Sequence, residues 1–246
     1  MKRLIAGPHA IASAIDAHPG QITLLLLAEG LHPKTRKSLV QSANRHNIPV
    51  QIAAREVLDD MGETLNHQGA LAIAGEFPFV DINAILSRAA RQTAPVLVLL
   101  DQVQDPGNLG AIVRSAHALG AAGLLITRDH SATMTPAAVR ASAGASERIP
   151  IARITNLSQA IATLKKAGYH VYGACGEATT ALHQIDWRGP VALVLGNEQN
   201  GLRRLTRENS DILFSIPMQH HFDSLNVSVA AAICLYEIQR TRTALG

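Results

Sequence analysis

The chain has 246 residues, a formal charge of +3, 47% hydrophobic and 17% charged residues, a balance that excludes intrinsic disorder and fits a soluble globular protein. Its longest apolar run, Ile22 to Ala28, stops at Glu29, far short of the roughly 20 residues that a membrane-spanning helix requires, and MKRLIAGPHA is too poor in apolar residues for a secretory signal. Cys175 and Cys234 stand apart, without Cys or His partners at metal-ligand spacing, so the expectation is a cytoplasmic protein with two reduced thiols, no disulfide, no metal and no membrane association.

In chain order, apolar runs of β type occur at 22–27, 48–53 and 70–74, with helix-length segments at 9–17 and 33–46. The regularity breaks around 76–94, where the stretch EFPFVDINAILSRAARQTAP, from Glu76 to Pro95, carries a proline near each end and a short helical pattern between. Beyond it, strand-like runs at 96–100, 123–127, 170–174, 191–195 and 212–217 alternate with helical patterns at 108–119, 157–167 and 225–240. Alternation of this kind reads as α/β with a mostly parallel sheet. The spacing predicts an N-terminal domain over 1–75, a linker over 76–94 and a larger domain over 95–246.

Three short blocks in the larger domain join backbone-shaping Gly or Pro to polar groups, at the strand ends where open α/β sheets build ligand sites. The first, DPGNLGAIVRSA, follows the strand VLVLL and Asp101 and opens a helix. Asn108 is a candidate N-cap and Gly120 a candidate C-terminal cap. At 100° per residue Leu109, Ile112, Val113, Ala116 and Leu119 share one face and Arg114 points away from it. Arg114 is thus a solvated arginine or an anion-binding group.

The second block runs from VALVL into Gly196, Asn197, Glu198, Gln199, Asn200 and Gly201. Leu202 and Arg203 stand where a phosphate-binding P-loop needs Lys and Ser or Thr, and G-x-G-x-x-G is absent from every strand-to-helix junction. Glu198 remains, as an acceptor for the turn's own N–H groups or as part of a site. The nearby Arg203, Arg204 and Arg207 read first as a solvated helix face. In the third block, IPM leads through Gln219, His220, His221, Phe222 and Asp223 to Ser224, Leu225 and Asn226, which open the last helix. Ser224 or Asn226 caps it. Adjacent histidines cannot easily face one ion together, so His220 and His221 do not suggest a metal site.

As an ordered set, the blocks resemble the three signature motifs of the SpoU (TrmH-type) RNA ribose 2'-O-methyltransferases of the SPOUT superfamily. Asn108, Gly110 and Arg114 match N-x-G-x-x-x-R. Gly196, Glu198 and Gly201 match G-x-E-x-x-G after a strand. Ile216, Pro217, Met218 and Ser224 through Ala230 match I-P-M, a loop and S-L-N-V-S-V-A. The loop departs from the family pattern at His220, where a Gly is usual, and Gln199 replaces another common Gly. GPHAIASAI, NHQGALA and LRRLTREN are similar to the branch that methylates a guanosine in the peptidyl-transferase region of 23S ribosomal RNA, with transfer RNA or another ribosomal nucleotide as the alternative substrate.

The resemblance implies a deep trefoil knot in the C-terminal domain, a ribosomal-protein-like RNA-binding module over 1–75, a homodimer, and S-adenosylmethionine as methyl donor. It places the donor at Gly196, Ile216, Met218 and Leu225, and the catalytic group at Asn108, Arg114, Glu198, Ser224 and Asn226. Arg114 would stabilise the developing alkoxide electrostatically while the others position the hydroxyl and its nucleotide.

Overall fold

The computed structural model describes residues 3–63, 65–219 and 224–243. The N-terminal part is built from β1 (Arg3–Ala6), α1 (Pro8–Ala17), β2 (Ile22–Ala28), α2 (Pro33–Arg45), β3 (Val50–Ala53), α3 (Arg55–Gly62) and β4 (Ala70–Ala74). Its sheet runs β1-β4-β2-β3. β4 pairs antiparallel with β1 and β2, while β2 and β3 are parallel. Side chains alternate across this sheet as strand geometry demands. Leu25, Leu27, Ala70 and Ala72 join α1 and α2 in one apolar cluster, and Leu26, Ala28 and Leu71 pack with Leu58 of α3 in another.

The segment at 76–94 forms a real helix, α4 (Ile82–Ala89), N-capped by Asp81, whose Ile85 and Ala89 are fully buried. Val80 bridges to Ala152 and so joins the chain to the larger sheet before that sheet begins.

The C-terminal part follows as β5 (Val96–Leu100), α5 (Pro106–Ala118), β6 (Gly123–Thr127), α6 (Pro136–Ala141), β7 (Ile151–Ile154), α7 (Leu157–Lys166), β8 (His170–Ala174), β9 (Thr180–Ala181), β10 (Val191–Leu195), α8 (Arg204–Asn209), β11 (Ile212–Ser215) and α9 (Val227–Thr243). Among the described residues these strands form one seven-stranded sheet in the order β7-β6-β5-β10-β8-β11-β9, and every pairing in it is parallel. Parallel strands covered on both faces must be apolar throughout, and β5, β6 and β10 are buried at every position.

The two parts are packed together. The Arg3 guanidinium forms a two-pronged ion pair with the Glu147 carboxylate, at 2.7 and 3.0 Å, and lies over the Phe77 ring. Gly144, at φ +87°, brings its backbone against Ser13 and His9 of α1. Ser13 also accepts from Arg148 Nε. A single apolar cluster runs from Ile11 and Ile15 through the junction to Val98 and Ile112.

At the far end of α9, Arg242 donates to the carbonyls of Ala94, Trp187 and Gly189. Trp187 itself is fully buried between Tyr172 and Phe214. Cys175 and Cys234 are buried free thiols, and burial pushes the Cys234 thiol up to about 12. Among the described residues no helix is long and apolar enough to cross a membrane, and no group of three His, Cys, Asp or Glu could hold a metal.

Candidate active site

Because the large sheet is parallel, β5, β10, β8 and β11 all end on one edge. Register places Leu100 beside Leu195, Val194 beside Gly173, and Ala174 beside Phe214. The residues that follow β5, β10 and β11, which belong to three blocks far apart in sequence, therefore emerge side by side.

β5 is followed by Asp101, a buried carboxylate that organises this edge. Its oxygens accept from the Arg203 N–H at 3.0 Å, Arg203 Nε at 2.6 Å and the Thr206 hydroxyl at 2.6 Å. α8 is thereby held against the end of β5. Arg204 pairs with Glu208, and Arg207 with Glu177. All three arginines of that cluster are thus committed to partners within the chain. Asp101 carries no motif of its own; its signal is an acid directly after five apolar strand residues.

α5 starts at Pro106, which makes Asp105 the N-cap. Its Oδ1 accepts from the Asn108 N–H at 2.7 Å. This corrects the expectation that Asn108 caps the helix: Asn108 lies in the first turn, and capping by Asp105 frees its side-chain amide. That amide is bound at both ends. Asn108 Nδ2 donates to Glu198 Oε1 at 3.1 Å, and Asn108 Oδ1 accepts from Asn226 Nδ2 at 2.9 Å. Asn226 Oδ1 in turn accepts from the N–H and the hydroxyl of Ser228, at 2.8 and 2.6 Å. Asn226, rather than Ser224, therefore caps α9 while reaching Asn108. Gly120 closes α5 as expected, at φ +77°, with the N–H groups of Gly120 and Ala121 bonded back to His117 and Ala116.

Glu198 is the anchor of this chain of bonds. Besides Asn108 it accepts from the N–H groups of Gln104 and Asp105, each at 3.1 Å. Burial by itself raises its pKa, but the Asn108 amide and the N–H groups of Glu198 itself, Gln104 and Asp105 outweigh that and hold the carboxyl below the ordinary range. An ionised Glu198 can only accept. Asn108 must therefore turn its NH2 towards Glu198 and its oxygen towards Asn226.

The turn that carries Glu198 is closed by reciprocal N–H to O bonds between Asn197 and Gly201, at 2.9 and 3.0 Å. Asn197 donates to the Gln102 carbonyl at 2.7 Å, which ties the turn to the β5 loop. A Cβ on Gly196 would lie 2.2 Å from the Gly201 carbonyl carbon, so a side chain cannot fit there.

Of the residues expected from sequence, Asn108, Glu198 and Asn226 are joined directly. Arg114 is exposed on α5 and has no hydrogen-bonding or ionic partner among the described residues, and Ser224 is exposed and bonded to no other described residue. Gly196 is buried; Ile216 and Leu225 are half-buried, with Ile216 against the core; Met218 is exposed. His220, His221 and Phe222 lie outside the described residues. Gly110 does not face the polar site at all: its missing side chain lets α5 touch α6.

The chain belongs to the SpoU rRNA methylase family, whose model matches residues 95–236. A second model, for the substrate-binding domain of RNA 2'-O ribose methyltransferases, matches residues 4–80. It is accordingly an RNA 2'-O-ribose methyltransferase that takes its methyl group from S-adenosylmethionine, as the three motifs imply.

The 23S rRNA (guanosine-2'-O-)-methyltransferase RlmB of Coxiella burnetii is 41% identical over 98% of this chain and 96% of its own. The enzyme of the same name from Pseudomonas aeruginosa is 39% identical over 98% and 97%. The crystal structure of the SpoU methyltransferase AviRb from Streptomyces viridochromogenes, in complex with the cofactor AdoMet, superposes with a TM-score of 0.84. It is 27% identical and the match covers 99% of this chain and 91% of that one.

Proposed function

We propose that this enzyme methylates the ribose 2'-hydroxyl of a guanosine in the peptidyl-transferase region of 23S rRNA, in the cytoplasm and as a homodimer. The observation that carries the reading is the bonded chain Glu198–Asn108–Asn226, which joins three distant segments into one polar site on the helix that also presents Arg114, exposed and without a partner among the described residues. Relatives named 23S rRNA (guanosine-2'-O-)-methyltransferase align over nearly the whole chain, N-terminal part included.

Residues 1–75 form the RNA-binding domain, 76–94 the connection and 95–246 the knotted catalytic domain. The interleaved strand order β5-β10-β8-β11 and the tight passage of Gly196 against Gly201 and Leu202 support the knot. The dimer is supported by α9, where Val229 and Tyr236, two turns apart on one side, are 46% and 59% exposed with Ile233 between them. An apolar stripe left in water is the mark of a contact surface.

Gly196, Ile216, Met218 and Leu225 hold the donor. Strand-end backbone with apolar side chains suits the uncharged adenine and the carbon chains beside the donor's sulfonium, and the adenine asks for no carboxylate or metal. S-adenosylmethionine supplies a methyl group made electrophilic by its sulfonium sulfur. The chain's own task is to align the hydroxyl and to stabilise the negative charge that grows on its oxygen.

Arg114 does the second. Its free, planar guanidinium can hold the developing alkoxide and the adjacent phosphate together, and it acts by charge, since guanidinium does not give up its proton in proteins. Asn108 and Ser224 orient the ribose. Glu198 and Asn226 are positioning residues that fix the Asn108 amide.

The test is transfer of labelled methyl from S-adenosylmethionine to 23S rRNA, followed by mapping of the modified nucleotide. One guanosine 2'-oxygen should be labelled, and Asn108→Ala should lower the rate on the order of 100-fold. Label confined to transfer RNA, or to no RNA, would overturn the reading.

A further inference from the structure

Residues 30–55 contain five Lys and Arg and not one Asp or Glu; the flanking acids are Glu29 and Glu56. Most of this segment is α2 and β3. On α2 the buried side is formed by Leu39, Ser42 and Ala43. At 3.6 residues per turn the opposite side consists of Lys34, Lys37, Ser38, Gln41 and Arg45, and all five are exposed. The stripe from Lys34 to Arg45 is roughly 16 Å long at ~1.5 Å per residue. Arg36, the remaining cation of the helix, lies off the stripe and donates to the carbonyls of Ala28 and Glu29, so it is engaged within the fold.

Lys34, Lys37 and Arg45 pair with no carboxylate among the described residues; Arg45 donates only to the Gln41 carbonyl of its own helix, at 3.4 Å, which leaves its charge unneutralised. Elsewhere exposed cations are commonly neutralised, as Arg188 is by Asp186, Arg204 by Glu208 and Arg240 by Glu237. The other face of the same small sheet has the reverse character. There α3 and the residue after it carry Glu56, Asp59, Asp60 and Glu63, and Asp59 already faces Arg55 and His67. The domain is therefore charged oppositely on its two faces, with a row of cations that lack a carboxylate partner among the described residues, and neutral hydrogen-bonding groups, on one.

We infer that the outer stripe of α2, formed by Lys34, Lys37, Gln41 and Arg45, binds the RNA backbone, and that the α3 face stays in solvent. The inference rests on the RNA-modifying function proposed above and names the surface that holds the substrate away from the methylated ribose. Three unpaired cations one to two turns apart suit successive phosphates, and Ser38 and Gln41 add hydrogen bonds to sugar or phosphate oxygens. Contacts of this kind position RNA without reading its sequence. The stripe thus contributes affinity and register, and base choice lies elsewhere.

The experiment measures binding of a fluorescent transcript of the peptidyl-transferase region, and of an unrelated transcript of equal length, as a function of salt. Each phosphate contact on a single strand contributes about −0.7 to the slope of log K against log salt. The triple variant Lys34→Gln, Lys37→Gln, Arg45→Gln should flatten that slope by about 2 on both transcripts and weaken binding on the order of tenfold or more at moderate salt. Lys34→Arg with Lys37→Arg should keep the wild-type slope, as should Arg188→Gln, whose cation is already paired.

Thermal melting verifies that the triple variant is folded, as replacement of solvent-facing residues allows. An unchanged slope and affinity in a folded triple variant would overturn the inference. So would a variant that binds naked RNA normally but loses methylation of ribonucleoprotein particles, which would assign the stripe to a protein partner. If wild type and variant differ in binding while no methyl reaches any RNA, the proposed function fails and the binding face stands.

Discussion

Arg114 shows how much of a residue's role depends on what does not touch it. Sequence periodicity puts it on the side of α5 away from Leu109, Ile112 and Val113, and it is exposed there without a partner among the described residues. A free guanidinium on the helix that carries Asn108 is available to substrate, which a guanidinium locked to a carboxylate, like that of Arg203, is not. Arg114→Lys keeps the charge and loses the planar fork, so kcat at saturating RNA should fall on the order of 10- to 100-fold. The pH profile separates two mechanisms. If the side chain acts by charge, the residual activity of the lysine variant declines as pH rises past about 10, where lysine loses its proton; if it acts as a base, activity rises instead. An undiminished rate would remove the electrostatic role. For Asn108 the deciding neighbour is Asp105, which takes over its expected capping role and so leaves its amide free to bridge Glu198 and Asn226.

At the scale of elements, the glycines of the motifs divide by what surrounds them. Gly110 lies where a Cβ would be 2.3 Å from the Ala138 carbonyl oxygen and 2.5 Å from the Ala141 Cβ, both on α6. Gly120 has open space around it and requires only its positive φ. Gly110→Ala should therefore cost about 3 kcal/mol by forcing α5 and α6 apart, and Gly120→Ala about 1 kcal/mol through backbone strain. Urea denaturation of both variants checks the contrast, and equal losses would contradict it. The elements β2, β5, β6, β10, α2, α5 and α9 are legible in the sequence because the strands are nearly unbroken apolar runs bounded by polar residues and the helices are segments of 13 residues or more between them. β1, β7, α6 and α8 are not. Arg3–Ala6 and Ile151–Ile154 are four residues long with a cation inside, and α8 depends on Asp101, about a hundred positions earlier, to hold its first turn.

For the whole molecule, the junction between its two parts fixes how the N-terminal sheet sits against the strand edge that carries Glu198 and Asn108. Arg3 and Glu147, 144 positions apart, are 9% and 0% exposed and pair through two hydrogen bonds. A buried pair is weak evidence for net stability, but breaking one leaves an uncompensated charge. Glu147→Ala should destabilise by about 3–5 kcal/mol, and Arg3→Met combined with Glu147→Leu should recover most of that loss. Denaturant titration of the single and double variants tests it, and a loss below about 1 kcal/mol for Glu147→Ala would show that the junction does not depend on the pair.

By itself the sequence determined the class of fold, the places of the principal strands along the chain and the family chemistry, because apolar runs and short motifs are properties of neighbours along the chain. Tertiary structure alone decided which motif residues act together. The bonds from Glu198 to Asn108, and from Asn108 to Asn226, span 90 and 118 positions, and the contacts that free Asn108 and commit Arg203 exist only once the parallel strands bring their ends to one edge. Pairing across such distances is set by sheet register and packing, and neither is written in any local stretch of residues.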